Sequence, residues 1–369
     1  MWLVVGTRPE AIKMAPVAHA LADRGLPPTL VFTGQHPQLR AEQFGLGGYP
    51  ALHLYCPGEQ DPHRHVRSVT AALLPLLRSS PDLLVVQGDT SSALGGALAA
   101  FTAGVPVAHV EAGLRTHDPL RPWPEEEYRT AIDAGAALLF APTETSAANL
   151  CAEQVPGEMH VTGNTAIDAL LAIEATLPPP APHDGGIPRV LVTCHRRESW
   201  GEGLQTIGTA LMQIASEGAA RIDFVLHPNR HVAGEMRGLL EGCSGISLLE
   251  PCDHAELVRR VRDADLVLSD SGGIQEEAPA LGTPLLVLRD KTERPEAIES
   301  GNALLIGTSA EAIVAETRRL LADPVALGSM AQRALPFGDG RAAPRIAAII
   351  ENWLERRLDP GQLLRDGTG

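Results

Sequence analysis

Cysteine is scarce and unpatterned. The 369 residues hold 5 cysteines, Cys56, Cys151, Cys194, Cys243 and Cys252, an odd number without a CxxC spacing. Neither a disulfide framework nor a zinc site is indicated, which fits a reducing cytosol. Aromatics are equally sparse at 4%, while 44% of residues are hydrophobic, so the core is built from Ala, Val and Leu, as in α/β interiors. Positive charge is also short. With 30 Lys and Arg against 45 Asp and Glu, the formal net charge is −15. That excess excludes a broad basic surface for nucleic acid, so any anionic ligand must be met by local cations. No apolar run reaches membrane-spanning length, and the apolar start from Trp2 to Val5 follows no basic leader, which makes a soluble chain without a membrane partner the expectation.

What is present is a regular alternation of short β-rich runs and longer helical patterns. In the first half strands are expected at Trp2 to Gly6, Thr29 to Thr33, Leu83 to Gln87, Val107 to Glu111, Leu138 to Ala141 and His160 to Thr162. A Pro- and Gly-rich stretch from Leu177 to Gly186 interrupts the alternation, and it resumes with Arg189 to Thr193, Ile222 to Leu226, Ile246 to Leu249, Leu266 to Ser269, Pro284 to Leu288 and Leu304 to Ile306. Such runs belong to parallel sheets covered by helices on both faces. The expected class is therefore α/β, with two doubly wound Rossmann-like domains and an interdomain cleft at the carboxyl ends of their strands. The boundaries read as 1–176, a linker over 177–188, a second domain over 189–342, a helix over 343–358 and a frayed tail over 359–369. That helix carries Ile346, Ile349, Ile350 and Trp353 on one face, which must dock on a partner surface, the N-terminal domain being a candidate.

The most informative motif is Ser269-Asp270-Ser271-Gly272-Gly273-Ile274-Gln275-Glu276-Glu277. A strand, a tight turn and a helix start in that order point unpartnered amide N–H groups at an incoming phosphate. Glu276 or Glu277, slightly further along, suits the hydroxyls of a ribose. The same residues also serve an ordinary capped helix with Ser271 as N-cap.

Other strand ends carry unusual side chains too. Arg8 and Lys13 flank Pro9, a residue suited to the first helical position, and can point cations at the mouth of the sheet; as surface charges they would be solvated instead. Asp89 follows one strand, as a functional carboxylate or an N-cap, and Glu111 ends the next. The stiff Pro122-Trp123-Pro124 stretch delivers Glu125, Glu126 and Glu127 to a helix start. His195 and His227 follow two strands of the second half. Metal ligation would want carboxylates or cysteines at matched spacing, so a phosphate contact or general acid is the better reading.

Taken in order, these motifs resemble the non-hydrolysing UDP-N-acetylglucosamine 2-epimerases over nearly the whole chain. The resemblance runs through Gly6-Thr7-Arg8-Pro9-Glu10-Ala11-Ile12-Lys13, Gly34-Gln35-His36, Gly88-Asp89-Thr90, His109 to Thr116, Pro122 to Glu126, Thr162-Gly163-Asn164-Thr165, His195-Arg196-Arg197-Glu198, Asp270 to Pro279 and Thr292 to Glu296. It implies a glycosyltransferase-B-like fold, a UDP-sugar substrate, no cofactor, no metal and a homodimer, and the cysteine usage adds a cytoplasmic location. Carried over by motif, Asp89, Glu111 and Glu125 are acid/base carboxylates and His195 assists the departing phosphate. Arg8, Lys13, Ser271, Gly272, Glu277 and Arg294 bind substrate, while Gln35, Arg196 and His227 contribute to a regulatory site. The chain departs from the family pattern at His254 and Leu257, where a Tyr and a Phe are usual, at Tyr128, where Asn is usual, and over Cys56 to His65. Release of free N-acetylmannosamine by a hydrolysing epimerase and sugar transfer to an acceptor are the alternative readings.

Overall fold

A computed structural model describes residues 1–79, 81–180, 186–194 and 200–358. Part of the expected linker and the expected frayed tail lie outside them. The chain divides into two compact units, one made of Met1–Ala169 with the segment from Phe337 onward, the other of Leu170–Pro336. Each is a doubly wound α/β unit, as the alternation of strands and helices predicts.

The first unit holds a seven-stranded sheet of β1 (Trp2–Val5), β2 (Thr29–Phe32), β3 (Ala51–His53), β4 (Leu84–Gln87), β5 (Val107–Val110), β6 (Leu138–Ala141) and β7 (Glu158–Val161), ordered β3-β2-β1-β4-β5-β6-β7. All neighbours pair parallel. Strands β4, β5 and β6 are buried at every residue, the signature of a sheet covered on both faces. Strand β3 is absent from the sequence expectation. Its three residues are exposed or half-buried at the sheet edge, so no apolar run announces it. Strand β7, also an edge, begins two residues before the expected run because its first residue is an exposed Glu158.

The second unit holds β8 (Arg189–Thr193), β9 (Arg221–Val225), β10 (Ile246–Leu249), β11 (Leu266–Ser269), β12 (Leu285–Val287) and β13 (Ala303–Leu305), ordered β10-β9-β8-β11-β12-β13. Strand order reverses at β1/β4 in one sheet and at β8/β11 in the other. In open α/β sheets ligands settle beyond the carboxyl ends of the strands at that reversal.

The chain returns to its first unit at the end. Gly163 and Gly338 pass so closely that a Cβ on Gly338 would lie 2.9 Å from the Gly163 Cα, and both have positive φ, 89° and 122°. Only glycine fits such an approach at such dihedrals. Asp168 then accepts the amides of Ala342 and Ala343 at 3.1 and 2.8 Å, satisfying two unpaired donors at the start of the final helix, Ala342–Leu358. That helix buries Ile346, Ile350 and Trp353 among Leu3, Val5, Met14 and Leu21.

A buried charge cluster fixes the end of β5. His109 Nδ1 lies 2.6 Å from Asp133 Oδ1 and its Nε2 lies 2.8 Å from the Gly88 carbonyl, while Arg115 and the Gly113 amide donate to Asp133 Oδ2 at 2.8 and 3.2 Å. Arg115 also grips Glu153 through two bonds of 2.7 and 2.6 Å. Burial pushes the Asp133 carboxyl up, but His109 and Arg115 together hold it below the usual carboxylate range.

Two measurements check this packing. Ile350→Ala removes a fully buried side chain and is expected to destabilise the first unit by about 2–5 kcal/mol, read from urea denaturation followed by fluorescence. A loss below about 0.5 kcal/mol, the scale of surface substitutions, would place the final helix outside the core. Asp133→Asn leaves Arg115 paired with Glu153 and takes the charged acceptor from His109 and the Gly113 amide, and is expected to cost about 1–3 kcal/mol at neutral pH. Because the folded value is depressed, the stability contributed by Asp133 is full above its unfolded pKa of about 3.9 and is lost as pH falls through the lower folded value. The gap between wild type and variant should therefore narrow in urea titrations at progressively lower pH in the acid range. A constant gap would break the link to Asp133.

Candidate active site

In the first unit the side chains singled out by the sequence follow β1, β4 and β5, three neighbouring strands. The helix Arg8–Asp23 starts at Arg8, so Pro9 occupies its second position rather than its first. Thr7 caps it reciprocally with Glu10, whose Oε2 accepts the amides of Gly6 and Thr7 at 2.9 and 2.6 Å and whose Oε1 accepts from Thr90 at 2.7 Å. Burial pushes the Glu10 carboxyl up, against the pull of these donors. Glu10 therefore rivets the β1 turn to the β4 turn. Arg8 is half-buried, and its amide donates to His36 Nδ1 at 3.4 Å.

Lys13, one turn further along, reaches Glu111 at the end of β5. Its Nζ lies 2.5 Å from Glu111 Oε2, and Gln87 Nε2 donates to the same oxygen at 2.8 Å. Glu111 has φ of 70°, a left-handed conformation that costs a non-glycine residue energy and persists only where its surroundings impose it. Here the imposition is visible: the amides of Glu111 and Ala112 both donate to the Phe140 carbonyl at 3.1 Å. In this conformation the Glu111 side chain reaches Lys13 and Gln87. No motif singles out Gln87, although it closes a strand of otherwise apolar residues.

Asp89 follows β4 and is held by Arg129, whose Nη2 lies 2.5 Å from Asp89 Oδ2. Arg129 is 2% exposed, and its Nε donates to the Glu125 carbonyl at 3.3 Å. The expected N-cap role falls to Thr90 instead, whose hydroxyl accepts the Ala93 amide at 3.0 Å. Of the three acids at the helix start Glu125–Asp133, Glu126 is the buried one, and it accepts the amides of Thr116 and His117 at 3.0 and 2.9 Å. Glu126 is thus a structural staple that carries Glu125, half-buried, to its position. The structure thereby ties Lys13 to Glu111, and Asp89 to the segment bearing Glu125. Arg129 is the residue that sequence reasoning missed: its partner lies 40 positions away, and no spacing rule links them.

Gln35 accepts the Ser92 hydroxyl at 2.6 Å, and its carbonyl accepts the Gly58 amide at 3.1 Å. The segment where the chain departs from the family pattern is thereby anchored beside Gln35. His65 secures its far end through Ser91, 2.7 Å away, and His63 packs edge-on against both Trp123 and Tyr128 with ring centroids 5.6 Å apart in each case.

In the second unit the Ser269 hydroxyl joins Thr193 at 2.7 Å, across β11 and β8, and accepts the Ser271 amide at 3.0 Å. Ser271 is the N-cap of the helix Gly272–Leu281 by its dihedrals, but its side chain makes no capping bond. The ordinary capped-helix reading therefore lacks its defining contact. A Cβ on Gly272 would lie 2.8 Å from Arg294 Nη1, so the guanidinium rests directly on the glycine turn. Arg294 is locked there by Glu276, 2.7 Å from its Nε, and by Glu293, which also pairs with Arg289 at 2.9 Å. Glu276 and Glu277 sit beyond the first turn, and they part company: Glu277 Oε1 lies 2.8 Å from His254 Nε2. His227 Nδ1 accepts the Asn229 amide at 3.0 Å, and its ring meets Trp200 edge-on. His195 and Arg196 lie outside the described residues. Among the described residues no cluster of His, Cys, Asp and Glu has the makings of a metal site, and no helix is long and apolar enough to cross a membrane.

Residues 19–351 match the family model for UDP-N-acetylglucosamine 2-epimerase. A probable UDP-N-acetylglucosamine 2-epimerase of Ralstonia solanacearum is 43% identical, with 95% of this chain and 98% of the relative aligned. The UDP-N-acetylglucosamine 2-epimerase of Escherichia coli strain K12 is 40% identical over 95% and 97% of the two chains. Among solved structures, the Neisseria meningitidis UDP-GlcNAc 2-epimerase bound to UDP-GlcNAc superimposes with a TM-score of 0.88 at 36% identity, covering 96% of this chain and 99% of that one. With Asp89 and Glu111 at strand ends of one doubly wound unit, a Ser-Gly-Gly turn at a helix start in the other and these likenesses along its length, the chain belongs to the UDP-N-acetylglucosamine 2-epimerase family.

Proposed function

We propose that the protein interconverts UDP-N-acetylglucosamine and UDP-N-acetylmannosamine by elimination and re-addition of UDP. The observation that carries this reading is Glu111, a buried carboxylate held in a strained backbone conformation against Lys13 and Gln87. Strain of this kind collects at sites of chemistry. The hydrogen on sugar carbon 2 is poorly acidic, so direct inversion there is difficult. In elimination a base takes that proton, its bonding pair forms the carbon 1–carbon 2 double bond, and UDP leaves with the electrons of the carbon 1–oxygen bond. UDP then adds back to the 2-acetamidoglucal as a proton arrives at carbon 2 from the other face.

Asp89, Glu111 and Glu125 are the acid/base candidates, and each has a structural reason to be well positioned. Glu111 is fixed by Lys13, Asp89 by Arg129, and Glu125 by the neighbouring Glu126 staple. Positioned proton-transfer groups contribute roughly 10² to 10⁴ in rate. Ser271 and Gly272 with the helix amides bind phosphate, Glu277 the ribose and Arg294 the sugar, while Arg8 and Lys13 supply positive charge on the side of the sugar phosphate. His195 assists the departing phosphate, and Gln35, Arg196 and His227 contribute to a regulatory site. In solution we expect a cytoplasmic homodimer. No cofactor enters this scheme.

In deuterated water, UDP-N-acetylglucosamine should yield both epimers with deuterium at carbon 2 and without net loss of UDP. Stoichiometric release of UDP with N-acetylmannosamine would mean hydrolysis instead, and epimerisation without deuterium would sink the elimination. Asp89→Asn, Glu111→Gln and Glu125→Gln are each expected to lower turnover at least about tenfold with melting curves intact. Near-normal turnover would remove that residue from the chemistry. Gly272→Ala drives a Cβ into the Arg294 guanidinium, and calorimetry should show UDP bound at least about tenfold more weakly, which is 1.4 kcal/mol. Unchanged UDP affinity would refute phosphate binding at this turn.

A further inference from the structure

His254 is the first residue of the helix His254–Arg262, and the helix does not use its side chain as a cap. That task falls to Asp253, which accepts the Glu256 amide at 2.8 Å. The imidazole instead turns to the neighbouring helix Gly272–Leu281 and meets Glu277, Nε2 to Oε1 2.8 Å, with side chains only 12% and 8% exposed. With the carboxylate as acceptor, the bond requires the hydrogen on Nε2 and makes His254 the donor. The adjacent Glu276 is committed to Arg294. Two successive carboxylates are thus sorted by their partners: one is tied into a network with arginines, the other is held by a single imidazole bond through one oxygen.

A glutamate side chain without a fixed partner can take several rotamers, and ordering it when a ligand arrives weakens binding. A donor that fixes one oxygen in advance removes that cost and directs the other. We propose that His254 is a positioning residue for nucleotide recognition, orienting Glu277 so that its second oxygen accepts the ribose hydroxyls of UDP. The proposal rests on the assignment of Glu277 to the ribose. Leu257 stands one turn after His254 on the same helix, at the i, i+3 spacing that shares a face.

The test is calorimetric binding of UDP and of 2′,3′-dideoxyuridine diphosphate to the full-length enzyme and three variants. His254→Ala should weaken UDP about three- to tenfold, the range expected for one side chain that must now be ordered on binding, and leave the dideoxy ligand within about twofold. His254→Gln, whose amide can still donate to the carboxylate, should recover most of the loss. In turnover the effect should fall on KM for UDP-N-acetylglucosamine, with kcat changed by less than about twofold, since uniform binding is what has been lost. Glu277→Ala separates the two layers. If it discriminates between the ligands while His254→Ala weakens both equally or neither, the positioning role is wrong and the ribose assignment stands. If Glu277→Ala also fails to discriminate, the ribose assignment itself falls, and the role of His254 with it.

Discussion

The Lys13–Glu111 ion pair joins positions 98 residues apart and ties the first helix of the chain to the end of β5. Much of the first unit is arranged so that this pair can exist. A carboxylate as buried as Glu111 needs a cation and further donors, because an unpaired charge out of water is costly. Lys13 and Gln87 supply them, but only because Glu111 adopts a left-handed backbone conformation. That conformation is sustained by the Phe140 carbonyl, which takes two amides, and by the adjacent cluster of His109, Asp133 and Arg115. Strain at one residue is thus held by hydrogen bonds on three neighbouring strands.

The same logic operates at Asp89 with a different cation. Arg129 presents a planar fork that can bridge several acceptors, and it uses that fork to collect Asp89, the Glu125 carbonyl and, at 3.5 Å, Glu126. Glu126 in turn holds the backbone after β5. Side chains of one kind therefore divide their labour by environment. Glu10 and Glu126 hold backbone amides, while Asp89 is held by Arg129 and Glu111 by Lys13 and Gln87.

In the second unit the division is between arginine and histidine. Of a run of buried acids, Glu276 and Glu293 pair with Arg294 and Arg289, and Glu277 bonds to His254. The missing side chain of Gly272 is what lets Arg294 lie against the turn. A motif that reads from sequence as permissive for phosphate is thus also permissive for a cation, and the two properties suit an anionic ligand.

The sequence by itself determined the elements and their class. Apolar runs such as Leu84–Gln87 and Leu266–Ser269 become parallel strands because burial on both faces demands continuous hydrophobicity, and Gly282 ends its helix in the left-handed conformation that glycine tolerates. Motif order placed Asp89, Glu111 and Ser271 at strand ends, where they are. Strand β3 escaped, since an exposed three-residue edge has no period to read. Only the tertiary structure decided partnership: that Arg129 answers Asp89, that Glu126 rather than Glu125 is the staple, that His254 grips Glu277, and that the final helix completes the core of the first unit. Local periodicity is written in adjacent residues and survives without the rest of the chain. Charge pairing and chain return are made by segments tens to hundreds of positions apart, and which segments meet is settled only when the sheets close.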